Sequence, residues 1–522
     1  MTALTSSSTT ERAGRAPGNG TAAARALPVS ADEVPVYPLR RLDPVFWISA
    51  LFIANFFLMR ISIPNLNISV SVALTGVWLL LAWKTSIIVI EPRRFILWLV
   101  AGGVAALVTL PQILFVHAPF VSLNSWALWM VTWLPAAFMM ADRSRATFER
   151  ALKAIVQIGL WFAGISIAFI AVQLVGMPYR DFLAEIFPPN MLVTDFNTAY
   201  PLYYGAWLYK SNGWFTLEPS FMSFILGLIV LAALIVRAPI WKVMWLLGGM
   251  IVTAAGSGFF VALIGIVAMV VLGQWRLLKP YIVPGLVLAA VVIPTAIGQV
   301  ILSRLSEGGN SRSSTALRTV EPYMYLWPKW TEQWAVVVFG GGAGSSRHVV
   351  DGSGVRGLMV PTIGKVLFDY GVIAGVLLTA LVVVSYVKTV EPSIAFAVAT
   401  SMLILQPPAQ PLMIPAFLMT TLWAPALFGN RPAGTDPERE PDAPRGWYDD
   451  EGWDEDDDLA ASDLGGTDVD DTDPKQGDVS TGATAAERSA SSRQNGTAAD
   501  GDSPDTNDVA ATSGRPTAKR ST

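Results

Sequence analysis

Twelve apolar runs, most of them about 20 residues long, constrain this chain more than anything else in its 522 residues. They fall near 44–63, 68–90, 94–117, 121–141, 152–176, 219–236, 240–256, 257–273, 281–302, 361–386, 393–407 and 411–429. Roughly 20 apolar residues in helical form cross the hydrocarbon core of a bilayer. The expected fold is therefore an all-α polytopic integral membrane protein with about 12 transmembrane helices. The last two runs are interrupted by QPPAQPLMIP (406–415), which could form a re-entrant turn. A composition that is 52% hydrophobic and only 15% charged belongs to the same class.

Charge is divided unevenly. Residues 431–522 carry 23 of the 40 acidic and 9 of the 36 basic side chains, a net charge of −14. The remainder therefore has 27 basic against 17 acidic groups, or +10. This predicts three parts: a disordered cytoplasmic segment over 1–43, a transmembrane domain over 44–429, and an acidic disordered cytoplasmic tail over 430–522. The connectors containing Arg40/Arg41, Lys84 with Arg93/Arg94, Arg143/Arg145/Arg150/Lys153, Arg237/Lys242, Arg276/Lys279 and Lys388 all fall on one side of that topology. Short basic loops face the cytoplasm, so both termini are expected inside and the two long loops, 177–218 and 303–360, outside.

Segment 303–360 has six basic and four acidic residues. Among them Arg304, Arg312, Arg318 and Arg347 are candidates to bind an anionic ligand, because the guanidinium fork matches phosphate at two points and stays charged. They read equally well as surface charges facing water. The other loop is aromatic, with Trp214 and ten further Phe, Tyr and Trp residues between 179 and 215. Such rings either line a sugar groove or form an interfacial belt. The loop closes in KSNGWFTLEPS (210–220), where Pro219 suits a first helical turn and Glu218 the positive end of the helix dipole. A second EPS at 391–393 favours that structural role, whereas the functional alternative is a carboxylate that takes a proton from a sugar hydroxyl.

GGGAG (340–344) lacks the Lys-Ser/Thr ending of a nucleotide-binding loop and reads as a flexible turn. With no cysteine and only His117 and His348, no cysteine or histidine cluster is available for a metal. His348 is a candidate for proton transfer or an ordinary surface histidine.

Four stretches together resemble the O-antigen polymerase and ligase superfamily of bacterial envelope glycosyltransferases. They are KSNGWFTLEPS, TAAGSGFFVALIGIVAMVVL (253–272), ALRTVEPYMYLWPKW followed by VVVFGGGAG, and LFDYGVIAGV (367–376). Gly258 and Lys210 stand where arginine is usual in that family, and MVPTIGKV (359–366) has no counterpart of the ligase histidine. The resemblance implies transfer of glycan from an undecaprenyl pyrophosphate carrier onto another glycan, at the outer face of the bacterial cytoplasmic membrane. Pyrophosphate is already a good leaving group, so neither a metal nor another cofactor is expected. Arg318 and Arg304 would stabilise it, Arg312 and Arg347 would assist, Lys210, His348 and Trp214 would help bind substrate, and Glu218 would act as base. The partners implied are a lipid-linked oligosaccharide, membrane lipids and a chain-length regulator or other envelope polysaccharide protein, with no nucleic acid. A ligase, or a flippase or transporter of lipid-linked glycan, is the alternative. Transporters usually carry ionisable residues within their spans, and here only Arg60 and Asp369 stand out, near span ends.

Overall fold

The computed structural model describes residues 43–64, 68–116, 120–194, 196–203, 205–306, 316–355, 358–386, 389–405 and 410–425. All of them belong to the unit Met1–Ala443; a second unit, Pro444–Thr522, lies outside the described residues, as do the tails expected to be disordered. The first half contains α1 (Pro44–Leu58), α2 (Val70–Lys84), α3 (Pro92–Pro111), α4 (Leu123–Trp133), α5 (Arg145–Leu174), α6 (Phe182–Ile186), α7 (Pro219–Ile235), α8 (Ile240–Ile251) and α9 (Gly256–Val271). The second contains α10 (Lys279–Val292), α11 (Ala296–Ser306), α12 (Ala316–Thr319), α13 (Glu321–Thr331), α14 (Trp334–Phe339), α15 (Ser345–Asp351), α16 (Thr362–Tyr386), α17 (Pro392–Thr400) and α18 (Gln410–Met419).

Among the described residues three helices are long and apolar enough to cross a membrane: Pro92–Leu114, Arg145–Leu174 and Thr362–Tyr386. Helices α10 and α11 reach that length only together, and they are bent by 107°. Seven further apolar helices have 10–17 residues, so the twelve full-length helices expected are not found among the described residues. The reason is visible in the runs themselves. Run 121–141 stays α-helical only to Trp133, because Pro135 sits in a 3₁₀ turn and the chain then extends as β4 (Phe138–Met140). Run 68–90 likewise ends in β3 (Ile88–Ile90), which pairs antiparallel with β4, Ile88 opposite Met140. Run 44–63 ends in β1 (Ser62–Ile63), paired antiparallel with β2 (Ile68–Ser69).

The core sits on α7. Every residue from Phe221 to Ile235 is buried, as expected of a helix that is apolar on all faces. It packs against α5, α8, α9, α17 and α18. Helices α7 and α9 touch backbone to backbone: a Cβ on Gly258 would lie 2.0 Å from the Ser223 carbonyl oxygen. A side chain as large as arginine could not enter this crossing at 258, so glycine there is a packing requirement. Close approach through small residues is how helices associate in lipid.

Four helices begin with an acidic N-cap residue followed by proline: Asp43-Pro44, Glu91-Pro92, Glu218-Pro219 and Glu391-Pro392. Proline fits there because the first helical N–H has no intrahelical partner to lose. The three glutamates are all buried.

The described part of segment 303–360 is not an open loop. It holds α12 to α15, packed partly on α16.

Candidate functional site

Glu218 and Arg318, one hundred positions apart, form an ion pair. Arg318 Nη2 donates to Glu218 Oε2 at 2.8 Å, with the carboxylate buried and the guanidinium largely so. Ser220 Oγ donates to the same oxygen at 2.9 Å. Among the described residues no hydrogen bond reaches Oε1, and the guanidinium uses only one of its five N–H donors. The pair joins the aromatic and the basic polar segments at one end of the helical body.

The stretch before Glu218 is built rather than loose. Ser211, Asn212 and Thr216 are buried in an apolar surrounding, so each must find partners. Ser166 Oγ of α5 donates to Ser211 Oγ at 2.9 Å. Asn212 Oδ1 accepts the Trp214 N–H at 3.0 Å, and Thr216 Oγ1 donates to the Asn212 carbonyl at 2.7 Å. Trp214 adopts φ 62°, a left-handed conformation costing about 1–2 kcal/mol for a residue with a Cβ. It is held by Arg60, whose Nη1 donates to the Trp214 carbonyl at 2.8 Å. The same guanidinium grips Asp181 at two points, 2.9 and 2.6 Å. Burial by itself pushes the Asp181 carboxyl up, but the hydrogen bonds and charge of Arg60, with the Ala184 N–H and Thr198 hydroxyl, outweigh it and hold Asp181 below the usual carboxylate range.

The other candidates are placed as follows. Lys210 is buried at the start of this stretch, its N–H donating to the Tyr200 carbonyl at 2.8 Å. Trp214 is half-buried, its ring 5.0 Å from that of Phe169, so it packs in the body more than it lines an open groove. Arg347 and His348 lie on α15, exposed, without a hydrogen bond to the Glu218–Arg318 pair. Arg347 faces Asp351 at 3.5 Å, and His348 stacks on Phe120 with ring centres 4.6 Å apart. Arg304 belongs to α11, its side chain outside the described residues, and Arg312 falls outside them altogether. Among the described residues no group of three His, Asp or Glu converges on a common point.

Sequence reasoning missed a second polar cluster. Asp369, fully buried in α16, accepts from Lys365 Nζ at 2.7 Å, Ser346 N at 2.7 Å, and Ser345 Oγ and Gly344 N at 3.1 Å. Four donors compensate the desolvation of one carboxylate. The glycine loop, expected to be a flexible turn, is instead docked on α16, which breaks at Gly371 (φ 69°, ψ −177°). Gly341 N and Gly342 N donate at 2.8 Å to the Phe368 and Asp369 carbonyls. The contact is close enough that a Cβ on Gly371 would lie 2.3 Å from the Val338 carbonyl oxygen. The available signal was an ionisable residue inside an apolar run, which marks a built site.

Comparison with protein-family models and with curated proteins gives no match for this chain.

Proposed function

We propose that this chain is a membrane glycosyltransferase of the polysaccharide polymerase type, joining glycans at the outer face of a bacterial cytoplasmic membrane. The observation that carries this reading is the buried Glu218–Arg318 pair, which unites the two long polar segments of the otherwise apolar region 44–429. The donor is a glycan on a polyprenyl pyrophosphate, and the acceptor is a hydroxyl of a second glycan. The acceptor oxygen attacks the anomeric carbon, the bond from that carbon to the pyrophosphate oxygen breaks, and the hydroxyl proton passes to Glu218. The lipid pyrophosphate leaves with its charge balanced by Arg318, whose remaining N–H groups offer donors without releasing Glu218. In this reading the shorter apolar helices complete their crossings through non-helical ends buried in protein, which a bilayer tolerates.

The test is to supply purified protein with a lipid-pyrophosphate oligosaccharide and look for longer glycans. Appearance of extended product, lost in Arg318→Ala, supports the reading. Movement of that lipid across vesicles with no new glycosidic bond overturns it, and favours transport instead. One observation speaks for that second reading: Lys365 and Asp369 lie within a helix long enough to cross the membrane, where ionisable residues often mark a translocation path.

A further inference from the structure

Helix α13 has apolar side chains on two faces. One face packs inward: Leu326 forms a small core with Val350, Val360 and Phe368, and Trp330 packs against it. The other face is open. Met324 is 67% and Trp327 57% exposed, Val320 just before the helix is 57% exposed, and Trp334 and Phe339 of α14 follow at 74% and 47%. Exposed patches this rich in large apolar residues mark a contact surface.

What covers the patch follows from where the two helices sit. Tyr323 packs on Gly364 in the first turn of α16, with ring carbon Cε1 3.0 Å from where a Cβ would be. The far end of α14 meets Gly371 through the Val338 carbonyl. Immediately beyond Gly371, α16 presents Val372, Ile373 and Val376 outward, 39%, 49% and 55% exposed. Helices α13 and α14 therefore lie against the end of a candidate membrane span, and their open apolar face adjoins the level where its outward side chains become apolar. Trp and Tyr concentrate at this level in membrane proteins, because their rings suit the boundary between headgroups and acyl chains. Lys329 in the last turn of α13 and Glu332 just after it are exposed and suited to the aqueous side of that boundary.

We infer that α13 and α14 form a monotopic docking element whose Met324, Trp327, Trp334 and Phe339 insert into the headgroup–acyl boundary of the leaflet facing segment 303–360. The occupant is the bilayer itself, held by buried apolar area in the manner of an interfacial helix. The inference rests on α16 crossing the membrane, as under the proposed function, but not on glycosyl transfer. It also accounts for the position of Arg318, which ends one turn before the element begins and so lies near the depth of lipid phosphates.

The chain has no cysteine, so single labels can be placed in the full-length protein without removing any. Nitroxide labels at Met324→Cys and Ala335→Cys, both exposed positions, are read in phospholipid vesicles by collision with oxygen, which partitions into lipid, and with a water-soluble nickel chelate. Ile373→Cys reports α16 itself, and Asp351→Cys, exposed on α15, reports water. The expected result is an oxygen-rich, nickel-poor signal at 324, 335 and 373, and the reverse at 351. A nickel-rich signal at 324 and 335 with an oxygen-rich one at 373 overturns the docking element alone. Low collision with both reagents at 324 and 335 means coverage by a second copy or another protein, and overturns it equally. A nickel-rich signal at 373 removes the membrane crossing of α16 and the inference with it.

Discussion

Glu218 and Glu391 occupy nearly the same local structure at opposite ends of α5, yet their carboxylates are satisfied differently. Each is an N-cap residue with extended backbone, φ −147° and ψ 160° at Glu218, φ −127° and ψ 98° at Glu391, with proline next. Each accepts a 2.9 Å bond from the serine two positions on. Arg145, the first residue of α5, reaches Glu391, whereas Ser166 and Gln173 of the same helix hold the stretch before Glu218. The 21 residues from 145 to 166 correspond to about 30 Å of helix, so the two sites are separated by roughly a bilayer core. Both oxygens of Glu391 are taken: Oε1 by Gln274 and Ser393 at 2.9 Å, Oε2 by Arg145 at 3.4 Å. At Glu218 both donors converge on Oε2. The same three-residue motif thus builds a closed clasp at one end and a carboxylate with an unused oxygen at the other.

That contrast can be broken most sharply by two matched substitutions. Glu218→Gln should lower glycan extension by about 100-fold or more, the usual range for removing a general base, in protein that is still folded in detergent at the assay temperature. Glu391→Gln should leave the extension rate near wild type. Equal losses in a product-length assay would erase the distinction between the sites. Next, Arg318→Ala should cost about 100-fold in the same assay without lowering membrane abundance, and Arg318→Lys should restore only part of it, since an ammonium lacks the planar fork. Wild-type chain lengths in Arg318→Ala would remove that residue from the chemistry.

Smaller effects sharpen the clasp side. Arg145→Ala leaves Glu391 buried with neutral donors only and should cost about 2 kcal/mol of stability, read by denaturation in detergent, while extension persists. Acid should separate the two ends further. Asp181, depressed below its usual range, stabilises the Glu218 end above about pH 4 and releases it as pH falls through its folded value. Hydrogen exchange in 196–218 should therefore rise on acidification before exchange in 389–400 does, and Asp181→Asn should remove that lead. Simultaneous onset would show that the Arg60–Asp181 grip does not govern this end. Smallest of all, removing 435–522 should leave extension in purified protein unchanged, because the segment is acidic and poor in apolar residues.

Much of the helical architecture was legible as apolar runs, and their limits were not. Hydropathy does not distinguish a residue that continues a helix from one that turns into a buried strand, as Ile88–Ile90 and Phe138–Met140 do by pairing with each other. Glu218 and Arg318 were legible singly, as charged residues beside an apolar core. Their pairing was not, because nothing in 210–220 refers to a residue one hundred positions away. The glycine loop was misread for a related reason. Glycine signals freedom in the isolated chain, but at 340–342 and 371 the missing Cβ serves close approach between two segments distant in sequence. Asp369 stood in plain view inside an apolar run, and the four donors that close on it could be known only from the fold.

The break at Gly371 leaves one last corollary. In an unbroken α16 the carbonyls of Phe368 and Asp369 would point at amides one turn ahead. Here they anchor amides of a foreign strand of chain, so repairing the rod and keeping the seam are rival uses of the same two oxygens. A side chain at 371 would favour the rod, and casting off the seam would also strip Asp369 of the Gly344 and Ser346 amides that now solvate it, leaving Lys365 as its partner on α16.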